Sequence, residues 1–81
     1  MDAAVAFGRV LRRLRNEAGI SQERLGFDAD LRRTYISILE LGQQQPTLTT
    51  IFKLAKALKR SGQDVIGLVE VEMRQAGRGR R

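Results

Sequence analysis

The chain contains no cysteine and no histidine. Their absence excludes disulfides, thiol nucleophiles, most zinc sites and the commonest general base at neutral pH. An enzyme built from carboxylates alone stays open, but the nine acidic residues are scattered and show no obvious pairing. No catalytic activity is therefore expected. No run of about 18 apolar residues exists, so no membrane helix is expected. The N-terminus lacks a basic segment followed by an apolar one, so no signal peptide is expected either. Lack of cysteine fits a cytoplasmic location. Internal repeats, strand-like alternation, a Gly-rich phosphate loop and a metal-ligand cluster are also missing. No cofactor or small-molecule effector is implied.

What is present is 81 residues, 42% hydrophobic and 30% charged, an ordinary balance for one small domain. A domain this short buries a modest fraction of its surface and is marginally stable alone, so dimerisation would help it. The net charge is +6, unevenly placed. Arg74, Arg78, Arg80 and Arg81 have no acid among them, so residues 1–73 hold 11 basic and 9 acidic groups. Clustering matters more than the total: Arg9, Arg12, Arg13 and Arg15 form one group, Arg32 and Arg33 another. Basic clusters attract polyanions, either nucleic acid or an anionic membrane surface.

Apolar residues recur at three- and four-residue steps, the helical period. Residues 3–18 read as a first helix through Phe7, Val10, Leu11, Leu14 and Ala18, with Asp2 as cap and Gly19 as stop. Arg12 and Arg13 are expected to face solvent or phosphate. Thr47 caps a fourth helix over 48–59, whose buried stripe is Leu48, Ile51, Leu54, Ala55 and Leu58; Phe52 falls off it. A fifth helix starts at Gln63 or Asp64 and runs to about Met73, with Val65, Leu68, Val69 and Glu72 along one side. Ile66, Val69 and Met73 make a second apolar line, expected at a homodimer interface. The ordered domain is expected to span 1–73, followed by a basic, disordered tail over 74–81.

Residues 21–42 organise the rest. Ser21 reads as an N-cap, and Leu25 and Ala29 share a face. Gly26 falls near that face, which suggests that another helix backbone passes close by, because glycine within a helix costs about 1 kcal/mol relative to alanine. Asp30 sits at the break and tolerates a left-handed conformation. After it, Ile36 and Leu39 point one way, leaving Arg32, Arg33, Thr34, Ser37 and Ile38 near the opposite face. Two short helices joined by a tight turn make a helix-turn-helix, in which the second helix enters the DNA major groove N-terminus first. Arg33, Thr34 and Ser37 then meet base edges: arginine donates two hydrogen bonds to guanine, and threonine and serine donate or accept. The plain alternative is a solvated basic face. The loop Gln43, Gln44, Gln45, Pro46 offers amides to a DNA backbone, or is simply a polar surface loop.

The segments FGRVLRRLRNEAGISQERL and RTYISILELGQQQPTLTTIFKLAKAL resemble the phage repressor and Cro-like family of bacterial helix-turn-helix regulators. The RTYIS segment is also similar to the controller proteins of restriction-modification systems. The resemblance implies an all-α, lambda-repressor-like bundle of five helices that binds double-stranded DNA as a homodimer on a palindromic operator. It implies base-reading roles for Arg33, Thr34 and Ser37. For Gln22 it implies a phosphate contact and the propping of a base-reading side chain, and for Tyr35 a contact with the DNA backbone; backbone contacts are expected also of Arg32, Gln43 and Gln45. Arg15 and Glu40 match a structural ion pair. In three places the chain departs from the family pattern: Asp30 replaces the usual turn glycine, Arg32 replaces a Ser or Asp cap, and Ile38 replaces a polar residue. An antitoxin-like or coactivator-like module of the same fold, whose main partner is a protein, is the second expectation.

Overall fold

Helix starts follow the short polar side chains. In the computed structural model, which describes residues 1–78 and side chains through residue 76, Asp2 accepts from the Val5 N–H at 2.9 Å and opens α1 (Ala3–Glu17). Ser21 accepts from the Arg24 N–H at 3.0 Å and opens α2 (Gln22–Ala29). Thr47 accepts from the Thr50 N–H at 3.1 Å ahead of α4 (Leu48–Ala57). Ser61 accepts from the Asp64 N–H at 3.0 Å at the start of α5 (Gly62–Arg78). Each bond satisfies an N–H that the first helical turn leaves unpaired. The exception is α3 (Arg33–Glu40), whose cap position holds Arg32 and has no side-chain bond. Among the described residues all regular structure is helical.

One core joins the five helices: Phe7, Val10, Leu11 and Leu14 of α1 meet Leu25 and Ala29, Ile36 and Leu39, Ile51, Leu54 and Ala55, and Val65 and Val69. Helix α1 packs on α3 and α5, α2 on α3 and α4, and α4 on α5. The turn between α2 and α3 is tight because two residues allow it. Asp30 takes φ 57, ψ 48, the left-handed conformation expected there. At Gly26 a Cβ would stand 2.6 Å from the Leu31 carbonyl oxygen, and the Leu31 N–H donates to the Gly26 carbonyl at 2.8 Å. The backbone close to Gly26 is thus that of the adjoining turn, not of a passing helix as expected.

Three further expectations change. Leu48, placed in the buried stripe, is 68% exposed. It lies four residues from Phe52 and shares that residue's outward face, while Thr50 is buried instead. Val69, placed at an outer apolar line, is a core residue. Finally, α5 runs past the Met73 boundary to Arg78, as the helix-favouring Arg74, Gln75 and Ala76 permit; residues 79–81 lie outside the described residues.

Candidate nucleic-acid interface

Burial of Ile36 and Leu39, both at 0% exposure, fixes which way α3 faces. Arg32, Arg33 and Thr34 at its leading edge are exposed. Ser37 and Ile38 are half-buried, and Tyr35 is half-buried with its ring packed against the core. Arg33 borders a surface cleft shared with Ser21, Gln22, Glu23 and Arg15. The structure therefore brings Arg33 and Gln22 to one place and leaves Tyr35 only partly presented. Gln43 and Gln45 are exposed on the loop after α3, and no side-chain hydrogen bond occupies them among the described residues.

The start of α3 is electrostatically unrelieved. No acidic residue lies in its first turn, and no side chain caps it. Arg32 and Arg33 instead put two cations at the positive end of the helix dipole, an arrangement worth about 0.3–1 kcal/mol per charge in the unfavourable sense. Unpaired N–H groups and cations together form a place that an anion would complete.

Behind this edge lies a closed polar network. The Arg15 guanidinium grips Glu40 through both faces of a fork, Nε to Oε2 at 2.6 Å and Nη2 to Oε1 at 3.1 Å. Its Nη1 donates to the Ile20 carbonyl at 2.9 Å. The side chains are 13% and 3% exposed, so this is the expected structural pair, and it is nearly dry. Hydrogen bonding from Arg15 to Glu40 raises the arginine pKa above its ordinary value; burial opposes this and the Coulomb attraction of Glu40 adds to it. Gln22, from which a DNA-backbone contact is expected, donates from Nε2 to Glu40 Oε1 at 3.0 Å. That bond could not be read from spacing, because Gln22 and Glu40 lie on different helices.

Arg13 is exposed, as expected, and also donates to Glu72 of α5 at 3.0 Å, while Arg9 approaches the other oxygen of Glu72 at 3.8 Å. Arg12 is exposed. Of the dimer-line residues, Ile66 and Met73 are exposed, and Val69 is not. Ile66 lines an apolar groove with Leu48, Phe52, Leu68 and Val71. The sequence signal for that groove was Phe52 standing off the stripe. Phe27, unremarked in the sequence, projects from α2 at 80% exposure with the Arg24 guanidinium 5.8 Å from its ring centre. Among the described residues no cluster of potential metal ligands occurs, and no helix is long and apolar enough to cross a membrane.

Residues 11–65 match the family described as Helix-turn-helix. Control protein C.BamHI of Bacillus amyloliquefaciens is 38% identical over 66 residues, 80% of this chain and 82% of the relative. The restriction-modification controller protein C.AhdI from Aeromonas hydrophila has a similar structure, with a TM-score of 0.74 at 42% identity over 76% of this chain and 90% of that one. The controller protein C.Esp1396I, solved as a tetramer with its natural 35-base-pair operator, gives a TM-score of 0.81 at 26% identity over 89% of this chain and 95% of that one.

Proposed function

The chain belongs to the Helix-turn-helix family and is a DNA-binding transcription regulator of the controller type, and from that premise we propose that it acts in the cytoplasm as a homodimer on a palindromic operator. The observation that carries this reading is the exposed, cationic, uncapped leading edge of α3. Entering the major groove first, Arg33 pairs with a guanine, and Thr34 and Ser37 contact neighbouring base edges. Arg32, the amides of Gln43 and Gln45, and Gln22 with its second N–H hold the sugar-phosphate backbone, with Tyr35 at the margin. Exposed Leu48, Phe52, Ile66 and Met73 give the second protomer an apolar surface. The experiment is Arg33→Ala, measured on a selected site and on random duplex. The variant loses roughly 1–3 kcal/mol on the selected site and little on random DNA; equal losses on both would assign Arg33 to the backbone alone.

The same apolar groove favours a second reading, an antitoxin-like or coactivator-like module that pairs chiefly with another protein. Sedimentation of the purified chain separates the two. A homodimer supports the regulator, and a monomer that associates only with a foreign protein supports the module.

A further inference from the structure

We propose that Glu72 is a positioning residue for the homodimer surface, and that its ionic latch to Arg9 and Arg13 makes dimerisation sensitive to ionic strength. This rests on the homodimer reading given above. Up to Val69, α5 is seated by apolar burial, with Val65 and Val69 in the core and Leu68 packed against it. Beyond Val69 that support ends, and none of residues 70–76 is buried. Val71 and Met73, 36% and 37% exposed, are the apolar side chains this half offers a partner. Gly67 weakens the helix just ahead of that point, since glycine is a poor helix former. Nothing in this chain requires a glycine there, because a Cβ would meet no packed neighbour within 4 Å.

Among the described residues, the polar side-chain bonds that tie this half of α5 to the body all end on Glu72. Its carboxylate accepts from Arg13 Nη1 at 3.0 Å, and its other oxygen stands 3.8 Å from Arg9 Nη1. The Glu72 side chain is 14% exposed, whereas those of Arg13 and Arg9 are 46% and 59% exposed. Arg9 and Arg13 lie four residues apart on α1, the spacing at which like charges on one helix repel. Seating Glu72 between them relieves that repulsion, so α1 and α5 both gain when the latch closes. The cations are wet, so dissolved salt reaches them. The screening length falls from about 10 Å at 0.1 M to about 3 Å at 1 M. Screening leaves Val65 and Val69 in place, because apolar burial does not depend on charge. It loosens the half of α5 that presents Val71 and Met73.

The test is sedimentation of the native chain and of Glu72→Gln at about 0.1 M and about 1 M sodium chloride, read as the ratio of the variant's dimer Kd to the native one. Glutamine keeps the shape and removes the charge. In low salt each lost latch costs about threefold, or about 0.7 kcal/mol, the worth of one partly exposed ion pair. Two latches act in each dimer, so the ratio is about ninefold there, and it falls toward one in high salt. A ratio near one in low salt, or one that salt leaves unchanged, overturns the proposal; a purely steric role would give the second result. Amide exchange supplies a readout that needs no dimer. In low salt, residues 73–76 exchange faster in Glu72→Gln than in the native chain, while residues 65–69 do not. Equal rates at residues 73–76 refute the latch. A native chain that stays monomeric at every concentration fails the homodimer reading, and the dimer claim with it, while exchange still tells whether the latch exists.

Discussion

Glu40 holds one end of a buried ion pair, and the fold depends on it. Removing its carboxylate leaves the Arg15 guanidinium, itself 13% exposed, without its fork partner. Breaking a buried pair by deleting one member costs about 3–5 kcal/mol, and Glu40→Ala is expected near the lower end because Arg15 keeps some solvent. Urea unfolding measures it; a loss within a few tenths of a kcal/mol would mean the network contributes nothing net. The pH dependence follows from Arg15. Its folded pKa is raised, so the stability it confers is fully present below the unfolded arginine value and fades only as pH rises through the higher folded one. Both lie far above neutrality, so Arg15 adds no slope to stability across the neutral range. At this scale the sequence was partly readable. The pair Arg15–Glu40 came from the family pattern, and the outward set Arg32, Arg33 and Thr34 from the burial of Ile36 and Leu39. The Gln22 bond and the hold of Arg9 and Arg13 on Glu72 were not readable, since each crosses between helices whose angles no local pattern states.

The element most at odds with local rules is α3, which begins on Arg32 where a serine or aspartate would cap it. Arg32→Ser supplies the missing acceptor and removes a cation from the dipole's positive end. It is expected to raise stability by about 0.5–2 kcal/mol and to weaken DNA binding. Thermal melting and a binding titration together check this. A variant that gains stability without losing affinity would show that Arg32 never meets phosphate. The other helix starts at Asp2, Ser21 and Thr47 were legible because capping is local chemistry. Leu48 and the end of α5 were not. At the first position of α4, periodicity does not say whether a residue faces the core or its edge, and Arg74, Gln75 and Ala76 continue a helix without needing apolar contacts.

As a whole molecule, the chain is a small core with two distinct outer faces. One is polar and cationic, at α3 and the loop after it; the other is the apolar groove of Leu48, Phe52 and Ile66. Phe52 is 59% exposed, with its ring against Gly62. Phe52→Glu should therefore leave the fold intact and shift the homodimer toward monomer by sedimentation. It should also weaken operator binding, because occupancy is linked to dimerisation by mass action. A variant that stays dimeric would move the interface elsewhere. The groove was only half legible: Ile66 was expected outward and Phe52 stood off the buried stripe, but Leu48 was placed within that stripe.

If α3 reads sequence in two symmetric copies, selection of bound sites from a random duplex pool, followed by sequencing, reveals it. The predicted result is an inverted repeat whose half-sites are centred about 10 base pairs, one helical turn, apart. Recovery of a pool with no enriched sequence, or of one unrepeated half-site, would contradict it.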